Sequence, residues 1–200
     1  LILNHQSLIA TKASRMVRVA KGRAISEFGS RRAHGADAAN YGARAAYIGG
    51  AASSANTYMD RQAGIPSTGT MAHSWVQSFD SELESFRAYA EVYPDHTLLL
   101  VDTYDVLRQG IPNAITVFKE LREKGHEPLG IRIDSGDIAY LTKETRKMLD
   151  EAGFPNAKIV VSNSMDEFKI RDLLNQGAQI DSFGVGERLI TAKSDPVFGL

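Results

Sequence analysis

Two hundred residues with 43% apolar content suffice for one large domain or two small ones around a real core. The 23 basic and 24 acidic residues leave a formal charge of −1, so no whole-protein field draws the chain to nucleic acid or anionic lipid. Cysteine is absent, which excludes disulfides and thiolate metal sites, and no apolar run approaches the length of a bilayer span; the expectation is a cytoplasmic protein with neither nucleic acid nor membrane as partner.

From Asn4 to Lys21, Leu8, Ile9, Ala13, Met16, Val17 and Ala20 recur at helical spacing, and Gly22 ends the run. Ala24 to Gly29 reads as a short strand, followed by the basic pair Arg31-Arg32. Gly35–Tyr47 and Ser53–Ala63 are alanine-rich and read as helices, and Ile65-Pro66 reads as a strand end leading to a glycine-entered turn at His73. A regular rhythm follows. Helices are expected at Asp80–Val92, about Pro112 to Lys124, Ile138–Ala152 and Met165–Gln176. They alternate with strands at Thr97–Val101, Leu129–Ile133, Lys158–Val161 and Ile180–Val185. The strands are apolar on both faces, and an amphipathic helix follows each of the earlier ones. That pattern predicts an α/β fold, a parallel sheet covered by helices, as either a barrel or a doubly wound sheet. The chain opens on Leu1 without an initiator Met and stops at Asp195-Pro196-Val197-Phe198-Gly199-Leu200, which reads as a turn entering another strand. The expectation is a segment of a longer protein.

Polar residues follow the strands with regularity: Asp102-Thr103-Tyr104-Asp105, Asp134-Ser135-Gly136-Asp137 with Arg132 in the strand itself, Ser162-Asn163-Ser164, and Gly184-Val185-Gly186-Glu187-Arg188. In a barrel these loops share the C-terminal rim, where active sites sit. Asp, Ser, Asn and Gly are also ordinary turn formers, so it is the recurrence in register that carries weight. His73 sits just before an amphipathic segment. A neutral imidazole beside a helix N-terminus can take up a phosphoryl group, because free N–H groups favour the resulting charge. Packing or capping is the plainer alternative. Asp102 is placed to orient an imidazole. Asp134 and Asp137 offer acceptors for ribose hydroxyls, Mg²⁺ or a developing sugar cation, while Asp137 equally suits a helix cap. Gly184 and Gly186 leave room for a phosphate to approach backbone N–H groups, or simply serve a turn. Ser162 and Asn163 add donors to such a phosphate, or cap a helix. The guanidinium of Arg31 or Arg32 suits a carboxylate and Phe28 a flat heterocycle, with surface exposure the alternative for either arginine. The other histidines lack ligand-like spacing, so no metal-binding residue is assigned.

Five runs in order, Glu27-Phe28-Gly29-Ser30-Arg31-Arg32-Ala33, Gly69-Thr70-Met71-Ala72-His73-Ser74-Trp75, Val101-Asp102-Thr103-Tyr104-Asp105, Arg132-Ile133-Asp134-Ser135-Gly136-Asp137 and Ser162-Asn163, closely resemble the nicotinate phosphoribosyltransferase family over Arg23–Gly199. The resemblance implies an irregular, here incomplete, TIM-like α/β barrel of type II phosphoribosyltransferases. It also implies a helix over 1–22 linking to an N-terminal domain, with 23–200 as the barrel domain truncated at its C-terminal end. The implied reaction joins nicotinate to phosphoribosyl pyrophosphate, giving nicotinate mononucleotide and pyrophosphate in NAD salvage. ATP as co-substrate is coupled through a phosphohistidine, and Mg²⁺ is the implied cofactor. On this resemblance His73 is the phosphorylated and catalytic residue, with Asp102 and Asp134 also catalytic. Phe28, Arg31 and Arg132 bind nicotinate, and Ser162, Asn163, Gly184 and Gly186 bind the phosphates. A homodimer with shared active sites is implied as well.

The nicotinamide-using relative is the rival, having an acidic residue near the segment aligned with Gly49-Gly50-Ala51-Ala52. This chain has none there, and a carboxylate would repel nicotinate. A sugar-phosphate lyase or isomerase would call for a Schiff-base Lys at a strand end, and none of these strand ends carries one. A catalytically silent binding or assembly fragment is the alternative from a different class.

Overall fold

A computed structural model describes residues 2–194, 196 and 197. The chain divides into two compact units, one of Leu1–Gly69, Ser162–Asn175 and Ser182–Leu200, the other of Thr70–Val161 and Gln176–Asp181.

In the first unit α1 (Ile2–Val19) buries Ile9, Ala13 and Met16 and packs on α2 (Ala36–Ile48), whose buried alanines permit close approach. Strand β1 (Ala24–Glu27) lies between β2 (Ser53–Ser54) and β6 (Ser182–Val185), and both pairings are parallel. The helix expected over Ser53–Ala63 is therefore shorter. Ser53 joins the sheet opposite Ser26, the two hydroxyls 2.9 Å apart, and α3 (Thr57–Ala63) begins after Asn56, whose side chain accepts from the Met59 N–H. Gly64, at φ 63°, closes α3 in the left-handed region. The strand end expected at Ile65-Pro66 reduces to a single parallel bridge between Ser54 and Ser67. Helix α8 (Glu167–Asn175) packs on α1 through a nearly buried ion pair, Lys12 Nζ to Glu167 Oε2 at 2.9 Å, and the short α9 (Glu187–Ile190) follows β6.

The second unit carries the expected rhythm. Helix α4 (His73–Gln77) leads to α5 (Glu82–Val92), which the Ser81 side chain caps. Strands β3 (Leu98–Leu100), β4 (Gly130–Ile133) and β5 (Lys158–Val161) pair in parallel in that order. Their side chains are mostly buried, as continuous apolar runs in a helix-covered parallel sheet should be. Helix α6 (Ile111–Glu123) is preceded by one π-helical turn over Val106–Gly110 that packs against the end of β3. There a side chain on Gly110 would meet the Val101 carbonyl at 2.0 Å. Helix α7 (Ile138–Glu151) packs on β5, and Phe118 of α6 meets Phe154 edge to face at 5.5 Å. Among the described residues no helix is long and apolar enough to cross a membrane. The strand expected toward Leu200 falls largely outside the described residues.

Candidate active site

The chemistry of the second unit gathers where β3 and β4 end. His73 is the first residue of α4 rather than part of the preceding turn. That turn is tied down by Thr70, whose hydroxyl donates to the Leu98 carbonyl at 3.0 Å. The His73 ring is partly exposed, with its Nε2 3.1 Å from Oδ1 of Asp102, whose side chain is 1% exposed. Asp102 leaves β3 just after Val101. Its second oxygen accepts from the Asp134 backbone N–H at 2.9 Å and from the Ser135 hydroxyl at 2.5 Å. Both donors come from the loop after β4, so a buried carboxylate has its lone pairs taken up by fixed partners and one imidazole. With Nε2–H donated to Asp102, Nδ1 of His73 is the ring nitrogen left with a free lone pair.

Arg132 and Asp134 flank this pair on β4 and its loop. The Arg132 guanidinium donates to the Met71 carbonyl at 3.3 Å and lies 3.5 Å from Oδ2 of Asp134, and both side chains keep some exposure. Asp137 accepts from the Tyr140 N–H and is the cap of α7, so of its two readings the structural one describes it. Glu82, at the start of α5, is 1% exposed, with Oε2 accepting from Asn113 at 2.9 Å and Oε1 without a partner among the described residues. Burial pushes its carboxyl above the usual range. The Asn113 hydrogen bond opposes the shift and the charge of Asp102 adds to it.

The other expected residues belong to the first unit. Phe28 is half-buried just past β1, with its N–H donating to the Val185 carbonyl at 2.6 Å. Its ring lies where a side chain on Gly184 would be, 2.7 Å from that position. Gly184 therefore has a packing reason to lack a side chain, in addition to any phosphate approach. Arg31 and Arg32 are both exposed in a single 3₁₀ turn, Ser30–Arg32. Arg32, with Arg188, helps Lys193 hold the Glu187 carboxyl below its usual range, whereas Arg31 makes no ion pair among the described residues. Ser162 is buried at the end of β5, and Asn163 and Ser164 follow at φ 84° and 51°. Positive φ is uncommon for such residues, and the carbonyl of Asn163 is held by Lys169 at 2.9 Å. Gly186 precedes α9 with an irregular backbone. Asp166 pairs with Arg188; burial would raise its carboxyl, but the Lys169 N–H and Arg188 outweigh this and lower it.

Reasoning from residue order missed Ser135 as a partner of Asp102. Ser135 lies inside a quoted run, yet a hydrogen bond between loops far apart in sequence leaves no spacing signal. Among the described residues no group of three or more His, Asp or Glu could hold a metal ion.

The family model described as "Nicotinate phosphoribosyltransferase (NAPRTase) family" matches residues 23–195. A nicotinate phosphoribosyltransferase of Bacillus subtilis (strain 168) is 51% identical over 198 residues, covering 99% of this chain and 40% of the relative. Nicotinate phosphoribosyltransferase pncB2 of Mycobacterium tuberculosis is 47% identical over 195 residues, covering 98% of this chain and 42% of the relative. The crystal structure of human nicotinic acid phosphoribosyltransferase superposes with a TM-score of 0.86 at 29% identity, over 92% of this chain and 48% of that one. A nicotinate-nucleotide pyrophosphorylase from Pyrococcus furiosus gives 0.80 at 28% identity, over 94% and 48%. This chain thus spans less than half the length of each.

Proposed function

Since the chain belongs to the nicotinate phosphoribosyltransferase family and has the α/β fold of type II phosphoribosyltransferases, we propose that the intact protein makes nicotinate mononucleotide and pyrophosphate from nicotinate and phosphoribosyl pyrophosphate. ATP hydrolysis drives the reaction through phosphorylated His73. The observation that carries this reading is the His73–Asp102 pair. Asp102 takes up Nε2–H and fixes the tautomer, leaving Nδ1 to attack the γ-phosphorus of ATP, with ADP leaving. Positive charge then develops on the ring as Nδ1 gives up its lone pair, and the Asp102 carboxylate stabilises the proton that Nε2 retains.

Loss of pyrophosphate builds positive charge on the ribose, and Asp134 is the carboxylate assigned to face it. Arg132, held between Asp134 and the Met71 carbonyl, supplies a fixed cationic fork at the substrate centre. Phe28 is assigned to stack on the pyridine ring. Arg31 is assigned to its carboxylate on the family resemblance, and neither Arg31 nor Arg32 makes an ion pair among the described residues that would tie it up. Ser162, Asn163, Gly184 and Gly186 are assigned to the phosphates. Among the described residues no group of three or more His, Asp or Glu could hold a metal by itself, so Mg²⁺ is assigned to the phosphates of the substrates. The absence of an acid near Gly49–Ala52 favours nicotinate over nicotinamide. The domain layout, a linking helix over 1–22 and a barrel domain from 23, the homodimer with shared sites and the cytoplasmic location belong to the same proposal.

The test uses full-length protein. Incubation with γ-labelled ATP and Mg²⁺ is expected to place an acid-labile, base-stable label that His73→Ala abolishes, and pyrophosphate release is expected to require nicotinate. Absence of label from wild-type protein, or release driven by nicotinamide instead, would overturn the reading.

A further inference from the structure

Glu27 ends β1 with an exposure of 0% and makes no ion pair among the described residues. Burial without a cation pushes its carboxyl above the usual range, although hydrogen bonds from Ser54 and Gly29 counter part of the shift. An acid in such a place is expensive, and its two oxygens show what the cost is spent on. Oε1 accepts from the N–H of Gly29, two residues along, bending the chain as it leaves the strand. Oε2 accepts from the Ser54 hydroxyl on β2 at 2.6 Å. Ser54 Oγ accepts in turn from the Asn56 N–H at 3.0 Å, and the Glu27 carbonyl accepts from Ala55 at 2.8 Å. One side chain thereby connects the exit from β1 to the entry of α3.

Phe28 lies between these anchors. Its own N–H is held by Val185 on β6, its ring fills the place of a Gly184 side chain, and the next N–H is held by Glu27. Gly29 lets the loop lie close against its surroundings, because a side chain there would meet Ile190 at 2.6 Å and Glu27 Oε1 at 2.8 Å. We propose that Glu27 is a positioning residue of the nicotinate pocket, its buried carboxylate setting the loop that carries Phe28 and Arg31 by binding Gly29 N–H and Ser54 Oγ together. The inference rests on the assignment of Phe28 and Arg31 to nicotinate. Glu27 itself is buried and acts through the loop. Misplacing a binding group by about 1 Å costs up to about 10²-fold, which sets the scale of the effect.

The experiment compares Glu27→Gln with Glu27→Met in the full-length protein, reading KM for nicotinate, kcat and ATP-dependent labelling of His73. Gln keeps an acceptor for Gly29 and offers an amide N–H to Ser54 Oγ; Met keeps the volume and loses both bonds. The expected result is a nicotinate KM within about threefold of wild type for Gln, and raised about tenfold or more for Met. Labelling of His73, which belongs to the other unit, is expected to be unchanged in both. A merely structural role would lower kcat and labelling together through loss of folded protein. If the Met variant does not fold, Ser54→Ala, which removes one of the two contacts, is expected to raise nicotinate KM severalfold with labelling intact. Wild-type KM in a folded Met variant, or in Ser54→Ala where Met does not fold, would overturn the inference, as would a parallel fall of kcat and labelling in a folded variant. Wild-type protein with no nicotinate turnover would overturn the underlying reading instead.

Discussion

The two units prepare for chemistry in different ways. In the second, a buried carboxylate spans the loops after two neighbouring strands, and side-chain hydrogen bonds to Asp102 aim a single imidazole. In the first, an aromatic ring occupies the space glycine leaves vacant, and backbone N–H groups set its loop. The arrangement in the second unit suits a group that must present one lone pair along one direction. That in the first unit suits a flat surface whose position matters more than its charge. Substitutions should therefore fail differently: in the second unit through the rate of phosphoryl uptake, in the first through substrate affinity.

Asp102→Asn is the sharpest way to break the comparison. An amide can hold His73 by its oxygen but cannot stabilise a charged ring, and it loses the charge that Ser135 and the Asp134 N–H complement. His73 labelling is expected to slow by about 10²-fold or more, with nicotinate affinity nearly unchanged, in rapid-quench labelling and equilibrium binding. Gly184→Val should do the converse. Its side chain enters the space of the Phe28 ring, and overpacking of about 1–3 kcal/mol predicts a rise in nicotinate KM on the order of tenfold or more with labelling intact. Ser135→Ala removes one of two donors from Oδ2 of Asp102. A slowing of labelling on the order of tenfold is expected, smaller than for Asp102→Asn because the Asp134 N–H remains.

The smallest effect concerns stability. The Glu82 carboxyl is raised in the folded state, so above the ordinary glutamate range the native protein holds a proton that the unfolded chain has released. Stability contributed by this group is therefore lost as pH rises through that window. Glu82→Gln is expected to raise the thermal midpoint relative to wild type more at pH 8 than at pH 5. An equal shift at both values would contradict the raised carboxyl.

Much of the second unit was legible because its signals are local. Apolar runs such as Leu98-Leu99-Leu100 alternate with amphipathic helices, and Asp102 and Asp134 stand within two residues of a strand end. Asp137 offered two readings, and only the geometry of its bond to the Tyr140 N–H chose between them. The first unit was less legible. Ser53-Ser54 is too short to outweigh the alanine-rich helical pattern around it, and its strand character comes from pairing with β1. Gly184 resembled any turn glycine, since its reason is a ring contributed from more than 150 residues away in sequence. Glu27 lay inside a quoted run without a role of its own, as a buried acid in a strand looks like a surface one until its partners are known.

The most direct test of the central claim is the position of the phosphoryl group on the imidazole. Full-length protein incubated with ATP and Mg²⁺, then examined by phosphorus–nitrogen-correlated NMR under basic conditions, is expected to show phosphate on Nδ1 of His73, because Asp102 occupies Nε2. Phosphate on Nε2, on another residue, or on none would contradict the account.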